Sequence, residues 1–247
     1  MSNYIKITDE FITTFLSPIA NVMDRAPFHI DDGKITVNLM NSNGDVAFGL
    51  CFTMDIDTDI TDTTINISDL TKFKNLLTKA TELDSNDKLE LDNNVLKYKS
   101  DKWRWKYYLF DGSLLQKTRK LKQEQLDNFN ASVSFVIKPE VLMDIVKIKA
   151  LHKNNSDKVY FKFTDDSISA CITDYTSANT DELGVTVSDK FESDGELDQA
   201  ILKFDLIKIL SQHRGVPFKV KISKQAIVFQ TIWDGVKISY MSAQLTK

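Results

Sequence analysis

The chain has 247 residues, 31 Lys and Arg against 35 Asp and Glu, and a formal net charge of −4. Its 42% hydrophobic and 27% charged content excludes a disordered or fibrous chain and fits one large globular domain or two of ordinary size. The acidic balance argues against a protein that coats nucleic acid over its whole surface, and it leaves room for a local basic face.

No apolar run approaches the ~20 residues needed to span a membrane. The N-terminus MSNYIKITDE lacks the basic, apolar and small-residue succession of a signal peptide. Cys51 and Cys171 lie in apolar, strand-like stretches and read as reduced, buried thiols. A cytoplasmic protein is expected, in the host cell's cytoplasm if the chain is viral.

The first predicted helix runs from about Asp9 to Val22, with Thr8 as N-cap and Phe11, Ile12, Phe15, Leu16 and Ile19 as its apolar stripe. Its outer face is Glu10, Thr13, Thr14, Ser17 and Asn21, and Pro18 should kink or end it. Strands follow at Phe28–Ile30, Lys34–Met40 and Val46–Met54, with a hairpin turn at Asp31–Asp32–Gly33.

A second unit begins with a strand at Thr64–Ile67 and Ser68 as cap. Leu70, Phe73, Leu76, Leu77 and Ala80 form its helical stripe, and strands follow at Lys88–Leu91, Val95–Lys99 and Trp103–Phe110. The last strand alternates Trp103, Trp105, Tyr107 and Leu109 against Arg104, Lys106, Tyr108 and Phe110. Periodicity stops between Asp111 and Ser132, a polar stretch with room for a short helix, which reads as a domain connector. The expected division is 1–111, a connector at 112–132, and 133–247.

The third unit has a strand at Val133–Ile137 and a helix burying Val141, Leu142, Ile145, Val146 and Ile148. Strands follow at Val159–Phe163, Ile168–Thr173 and Leu183–Val187. The fourth has a strand at Ala200–Phe204, a short helix with Leu206, Ile207 and Leu210 inward, and strands at Phe218–Ile222, Ala226–Thr231 and Val236–Met241. Taking Thr8, Ser68, Lys138 and Phe204 as entry points, the unit recurs after 60, 70 and 66 residues. That is one supersecondary unit repeated four times. Hairpin-joined strands with interspersed helices predict an α+β fold of antiparallel sheets with helices packed on one side. Repeated units with open sheet edges tend to close into a symmetric ring.

The helix positions opposite each apolar stripe are the informative ones. The second helix places Lys72 and Lys79 on one side of its outer face and Lys74 on the other. The third points Lys147 outward, with Lys149, His152 and Lys153 at its end. The fourth points Lys208 outward, with His213 and Arg214 beyond. The first helix has no outward Lys.

The repeat order, with the stretches IKPEVLMDIVKIKALHKNNSDKVYFKFTDDSISACI, INISDLTKFKNLLTKA and PFKVKISKQAIVFQTIWDGVKISYMSAQL, resembles the two-domain DNA polymerase sliding clamps, particularly those of large tailed bacteriophages. The resemblance implies a homotrimeric ring with antiparallel sheets outside and helices lining the hole, encircling duplex DNA and making the polymerase processive. It implies DNA contacts from Lys72, Lys74, Lys79, Lys147, Lys149, Lys208 and Arg214, made to phosphates and therefore independent of sequence. It implies a subunit interface at the edge strand carrying Trp103, Trp105, Tyr107 and Leu109, paired with an edge within Asp174–Val187 of the next subunit. A partner-peptide groove for polymerase and clamp loader is expected near Met40, Leu114, Leu115, Tyr240 and Met241, and phage relatives also contact the transcription machinery. No catalytic, cofactor or metal site is expected.

Three other signals compete with that reading. Asp55, Asp57, Asp59 and Asp62 look like a calcium loop, but an EF-hand from Asp55 needs Gly at 60 and Glu at 66, where this chain has Ile60 and Asn66. WRWKYY at 103–108 interleaves aromatics and cations as single-strand platforms do. A monomeric single-stranded-DNA-binding or replication accessory module is therefore the alternative. His29, His152 and His213 are scattered, and no pair of carboxylates is placed together as a nuclease would need.

Overall fold

A computed structural model of the chain describes residues 3–41, 48–83, 86–114, 121–151, 157–173, 182–213 and 215–245. The chain forms two compact units. Unit 1 is Met1–Met40, Leu50–Lys122 and Ile232–Ile238; unit 2 is Asn41–Gly49, Gln123–Thr231 and Ser239–Lys247. Among the described residues no helix is long and apolar enough to cross a membrane.

In unit 1, Thr8 caps the first helix as expected, its Oγ1 accepting from the Phe11 amide at 3.1 Å. The helix itself departs from a regular α-helix. Phe11–Leu16 is π-helical and runs into a short α1 (Ser17–Ala20), with Pro18 in its first turn. The Ser17 amide reaches back to the Ile12 carbonyl, and Ser17 Oγ donates to the same oxygen at 2.7 Å. The wider turn accommodates the proline and rotates the residues before it. Thr14, expected outside, is therefore buried, with its Oγ1 donating to Asp234 Oδ2 at 3.4 Å.

One sheet of unit 1 is ordered β1 (Tyr4–Lys6), β6 (Lys88–Asp92), β7 (Val95–Lys99), β8 (Arg104–Tyr108). Another run of strands is ordered β4 (Phe48–Asp55), β3 (Lys34–Asn41), β2 (Ala26–Asp31), β5 (Thr63–Ile67). The β2–β3 turn has positive φ at Asp32 and Gly33, as a tight Asp–Gly hairpin requires. Helix α2 (Leu70–Leu83) buries Leu70, Phe73, Leu77 and Ala80. Its cap is Asp69 rather than Ser68: Asp69 Oδ1 accepts from the Lys72 amide at 2.8 Å.

In unit 2, one sheet is ordered β12 (Leu183–Ser188), β11 (Ile168–Ile172), β10 (Lys158–Phe163), β14 (Gln199–Lys203). A second run is ordered β13 (Phe191–Ser193), β9 (Val133–Ile137), β15 (Phe218–Ile222), β16 (Ala226–Trp233), β17 (Val236–Ala243), with the β16–β17 turn at Ile232–Ile238 assigned to unit 1. Helices α4 (Pro139–Leu151) and α5 (Phe204–Leu210) pack side by side, and α4 also lies along β12. Pro139 opens α4 where its missing N–H costs nothing. The connector contains the short helix α3 (Gln123–Asp127), whose Leu126 is buried, as is Leu121 before it. Both cysteines are buried, and neither forms a disulfide.

Candidate nucleic-acid and partner interfaces

Three helices carry the candidate DNA-binding cations. On α2, Lys72 and Lys79 are exposed and Lys74 is half-buried. On α4, Lys147 is exposed and Lys149 half-buried; on α5, Lys208 is exposed. Lys79 pairs with Glu82 at 2.5 Å and Lys147 with Asp144 at 2.8 Å. Such exposed pairs are held weakly, so both lysines can exchange partners. Arg214, like His152 and Lys153, lies outside the described residues.

His213 is not one of these cations. It is buried beyond α5, its Nε2 is 2.8 Å from the Tyr240 hydroxyl, and its ring packs edge-on against Phe218 and Tyr240. Burial lowers its pKa to about 4, so it is neutral at pH 7. This also removes Tyr240 from the expected partner groove. Tyr240 is fully buried, and the same desolvation raises its pKa. Met40 and Met241 are half-buried. Leu115 and the side chain of Leu114 lie outside the described residues.

The sheet edges show a clear asymmetry. The outer edge of β1 is covered: the Lys6 amide donates to the Asp57 carbonyl at 2.9 Å, and the Tyr4 amide donates to Asp59 Oδ1 at 2.6 Å. Tyr4 Oη also donates to Asp57 Oδ1, a bond that raises the tyrosine pKa. The acidic loop that looked like a calcium site thus fastens the first strand. Among the described residues no group of three His, Cys, Asp or Glu could hold a metal ion. The outer edge of β14 is covered by the chain end, where the Leu245 amide donates to the Ile201 carbonyl at 3.0 Å. By contrast, β8 and β12 end their sheets, and among the described residues no main-chain partner lies along their outer edges. Among the described residues, each four-stranded sheet therefore presents one uncovered edge. Within the expected partner stretch Asp174–Val187, residues 174–181 lie outside the described residues, and β12 supplies the rest.

Side-chain orientation on β8 corrects the sequence-based assignment. Tyr107 is buried, 5.2 Å from Phe73 between ring centroids, with its hydroxyl at the start of α2. Trp105 is half-buried and stacks on Tyr98 at 5.7 Å, and Trp103 meets Tyr98 edge-on at 6.2 Å. Leu109 lies past the end of the strand, its amide donating to the Asn94 carbonyl. The aromatic row thus packs inward, which also takes one Trp face away from any single-strand platform. The row facing solvent is Arg104, Lys106 and Tyr108, and Tyr108 is 69% exposed. Strand alternation separates these two rows in the sequence; the missing signal is which row meets α2.

The connector is held at its backbone. Asn38 Oδ1 accepts from the Leu121 amide at 2.5 Å, and Asn38 Nδ2 donates to the Leu121 carbonyl. Further on, Lys221 Nζ donates to the Asp127 carbonyl at 3.0 Å, and Gln230 Nε2 to Asp127 Oδ1 at 3.1 Å. The sequence carries no pattern for these bonds, because each rests on one polar side chain reaching across a long chain separation.

No protein-family model matches the sequence, and no curated protein matches it. Solved structures do. The chain is similar to one in the structure of the C-terminal region of FEN-1 bound to A. fulgidus PCNA, with a TM-score of 0.75, 14% identity and 99% of each chain covered. It is similar to the proliferating cell nuclear antigen of Entamoeba histolytica, with a TM-score of 0.72, 13% identity and all of both chains covered. A Helicobacter pylori beta clamp bound to a DNA ligase peptide matches at a TM-score of 0.63 and 14% identity, over 98% of this chain and 66% of that one. The chain has the sliding-clamp fold.

Proposed function

We propose that this chain is a sliding clamp that encircles duplex DNA and tethers the replicative DNA polymerase. The observation that carries the reading is the edge left uncovered, among the described residues, in each four-stranded sheet, β8 in one and β12 in the other, while β1 and β14 are covered by their own chain. Exposed edges are an aggregation hazard unless a defined partner pairs with them. Two different edges on one chain suit head-to-tail pairing, and head-to-tail pairing that closes gives a ring. The resemblance to two-domain clamps makes that ring a homotrimer.

In such a ring Lys72, Lys74, Lys79, Lys147, Lys149, Lys208 and Arg214 would face the hole. An acidic body with a set of cations on its helices would hold DNA without reading its sequence or coating itself with it. The role is one of tethering rather than chemistry. The archaeal and H. pylori structures hold the FEN-1 C-terminal region and a DNA ligase peptide, respectively. By analogy, polymerase and clamp loader would dock short peptides beside the connector, near Met40, Leu114, Leu115 and Met241.

Light scattering after size exclusion tests assembly: about three times the 28.2 kDa subunit mass is expected at high protein concentration. A strict monomer there contradicts the ring. The alternative, a single-strand module, would instead show binding to short single-stranded oligonucleotides that disappears when Trp103 and Trp105 are replaced.

A further inference from the structure

We infer that β13 is a docking edge for an extended segment of a partner protein. The segment adds to β13 as a strand, with acidic and apolar side chains on one face and basic and apolar side chains on the other. The site lies within unit 2, shares no residue with the expected groove near Met40 and Met241, and does not depend on the ring.

The main chain defines the edge. β13 ends its run of strands and pairs with β9, Phe191 opposite Phe135, Glu192 opposite Ser134 and Ser193 opposite Val133. Just beyond it the Asp194 amide donates to the Ser132 carbonyl at 3.0 Å. Antiparallel ladders alternate, so Glu192 also turns its N–H and C=O to β9, and Phe191 and Ser193 turn theirs outward. Among the described residues no main-chain group meets that outer side.

Each face of β13 borders a depression. On the face of Glu192 lies one of about 700 Å³, whose lining includes Ser134, Val136, Lys138 and Lys219. The register puts Glu192, Ser134, Val136 and Lys219 on that same face. Val136 is 50% exposed there, with Lys138, Lys190 and Lys219 around it. Among the described residues none of these lysines pairs with a carboxylate, whereas Glu192 is engaged by the Ser134 hydroxyl, which donates to it at 3.1 Å. On the face of Phe191 and Ser193 lies the other depression, about 620 Å³, lined by Phe163, Leu197, Asp165 and Asp198. Asp189 and Lys190 stand between the two and line both. One depression is therefore apolar and basic, the other apolar and acidic.

A strand added to this edge sends successive side chains to alternate faces, and so into the two depressions in turn. Carboxylates complement Lys138 and Lys219 on one face, and cationic side chains complement Asp165 and Asp198 on the other. Apolar side chains beside Val136, and beside Phe163 and Leu197, bury surface on both. The charge of β13 itself disfavours a second copy as the occupant. Pairing β13 with itself centres on Glu192 and sets two carboxylates directly opposite each other. With three residues the strand offers few main-chain bonds, so the flanking depressions supply the specificity.

Fluorescence anisotropy of the full chain with a labelled peptide tests this, with folding of each variant checked by circular dichroism. The probe is a short synthetic peptide in which Glu and Val alternate with Lys and Phe, and its control is a shuffled peptide of the same composition. The alternating peptide should bind about tenfold tighter than the shuffled one, or more. N-methylation of its backbone along one of the two alternating rows should abolish that advantage, and along the other row should preserve it. Lys219→Glu should weaken binding about tenfold, while Lys34→Glu, exposed at the start of β3, should leave it within about twofold. Equal binding of the alternating and shuffled peptides, or equal losses from N-methylation of either row, overturns the inference while leaving the sliding-clamp reading intact. A lower assembled mass for Lys219→Glu would make a second copy the occupant and overturn it as well.

Discussion

The hydroxyl of Tyr107 lies 2.8 Å from the backbone nitrogen of Asp69, which donates to it. Ser68 Oγ is 3.1 Å from the same hydroxyl, and the Asp69 carbonyl 3.2 Å. One side chain from the edge strand thus satisfies the main chain where α2 begins, and couples the orientation of the lysine-bearing helix to the strand that would pair with a neighbour.

Replacing Tyr107 with Phe should remove those bonds and keep the ring against Phe73. A stability loss of about 1–2 kcal/mol is expected, read as a lower urea midpoint. The assembled mass should not change, since the side chain is buried in its own unit. Loss of assembly with the fold intact would place Tyr107 at the interface after all.

His213 makes stability depend on pH. Its folded pKa, about 4, is below its ordinary 6.5, so the unfolded chain binds the extra proton between those values. Stability from keeping this ring neutral is fully present above about pH 6.5, declines as pH falls, and is exhausted below about pH 4. The total is on the order of 3 kcal/mol. In His213→Asn, denaturation midpoints measured between pH 4 and 6.5 should depend less steeply on pH than in the wild type. An unchanged slope would mean that the ring titrates normally.

Asn38→Ala should release the connector at Leu121. Its two hydrogen bonds are to one backbone unit, and their removal leaves the amide of a buried residue without its acceptor, at a cost of about 1–3 kcal/mol. Limited trypsin digestion should cut the connector faster than in the wild type, with the rest of the digestion pattern preserved.

What the sequence disclosed follows from where its signals are strong. Helix α2 is readable because its apolar residues recur at an unbroken helical period, and the Asp–Gly turns because both residues need positive φ. Helical periodicity misplaces Thr14 because a π-helical segment does not advance by 100° per residue. Tyr240 is legible as an inward residue, because Val236, Ile238 and Tyr240 alternate with Lys237, Ser239 and Met241 along β17, and its place in the expected groove disregards that row. Strands β1 and β13 have three residues each, too short for any period, and are fixed by pairing with distant segments. The partner groove is the least legible part, since it depends on which apolar side chains the fold leaves uncovered.

Lys72→Ala and Lys208→Ala should weaken duplex retention uniformly across DNA sequences. Each should reduce the steepness of its salt dependence by about one unit of log–log slope for each phosphate no longer neutralised. Thr13→Ala, on the first helix with its exposed neutral face, should leave both unchanged. Equal effects from all three would deny the lysines a special place.

Encirclement is a topological property, and a loading assay on two DNA forms reads it. With polymerase and loader from the same source, the protein should remain on nicked circular duplex through a gel-filtration step and come off once the circle is linearised by a single cut. Equal retention on circular and linear DNA would mean that the chain binds DNA without encircling it, and the sliding-clamp reading would fail.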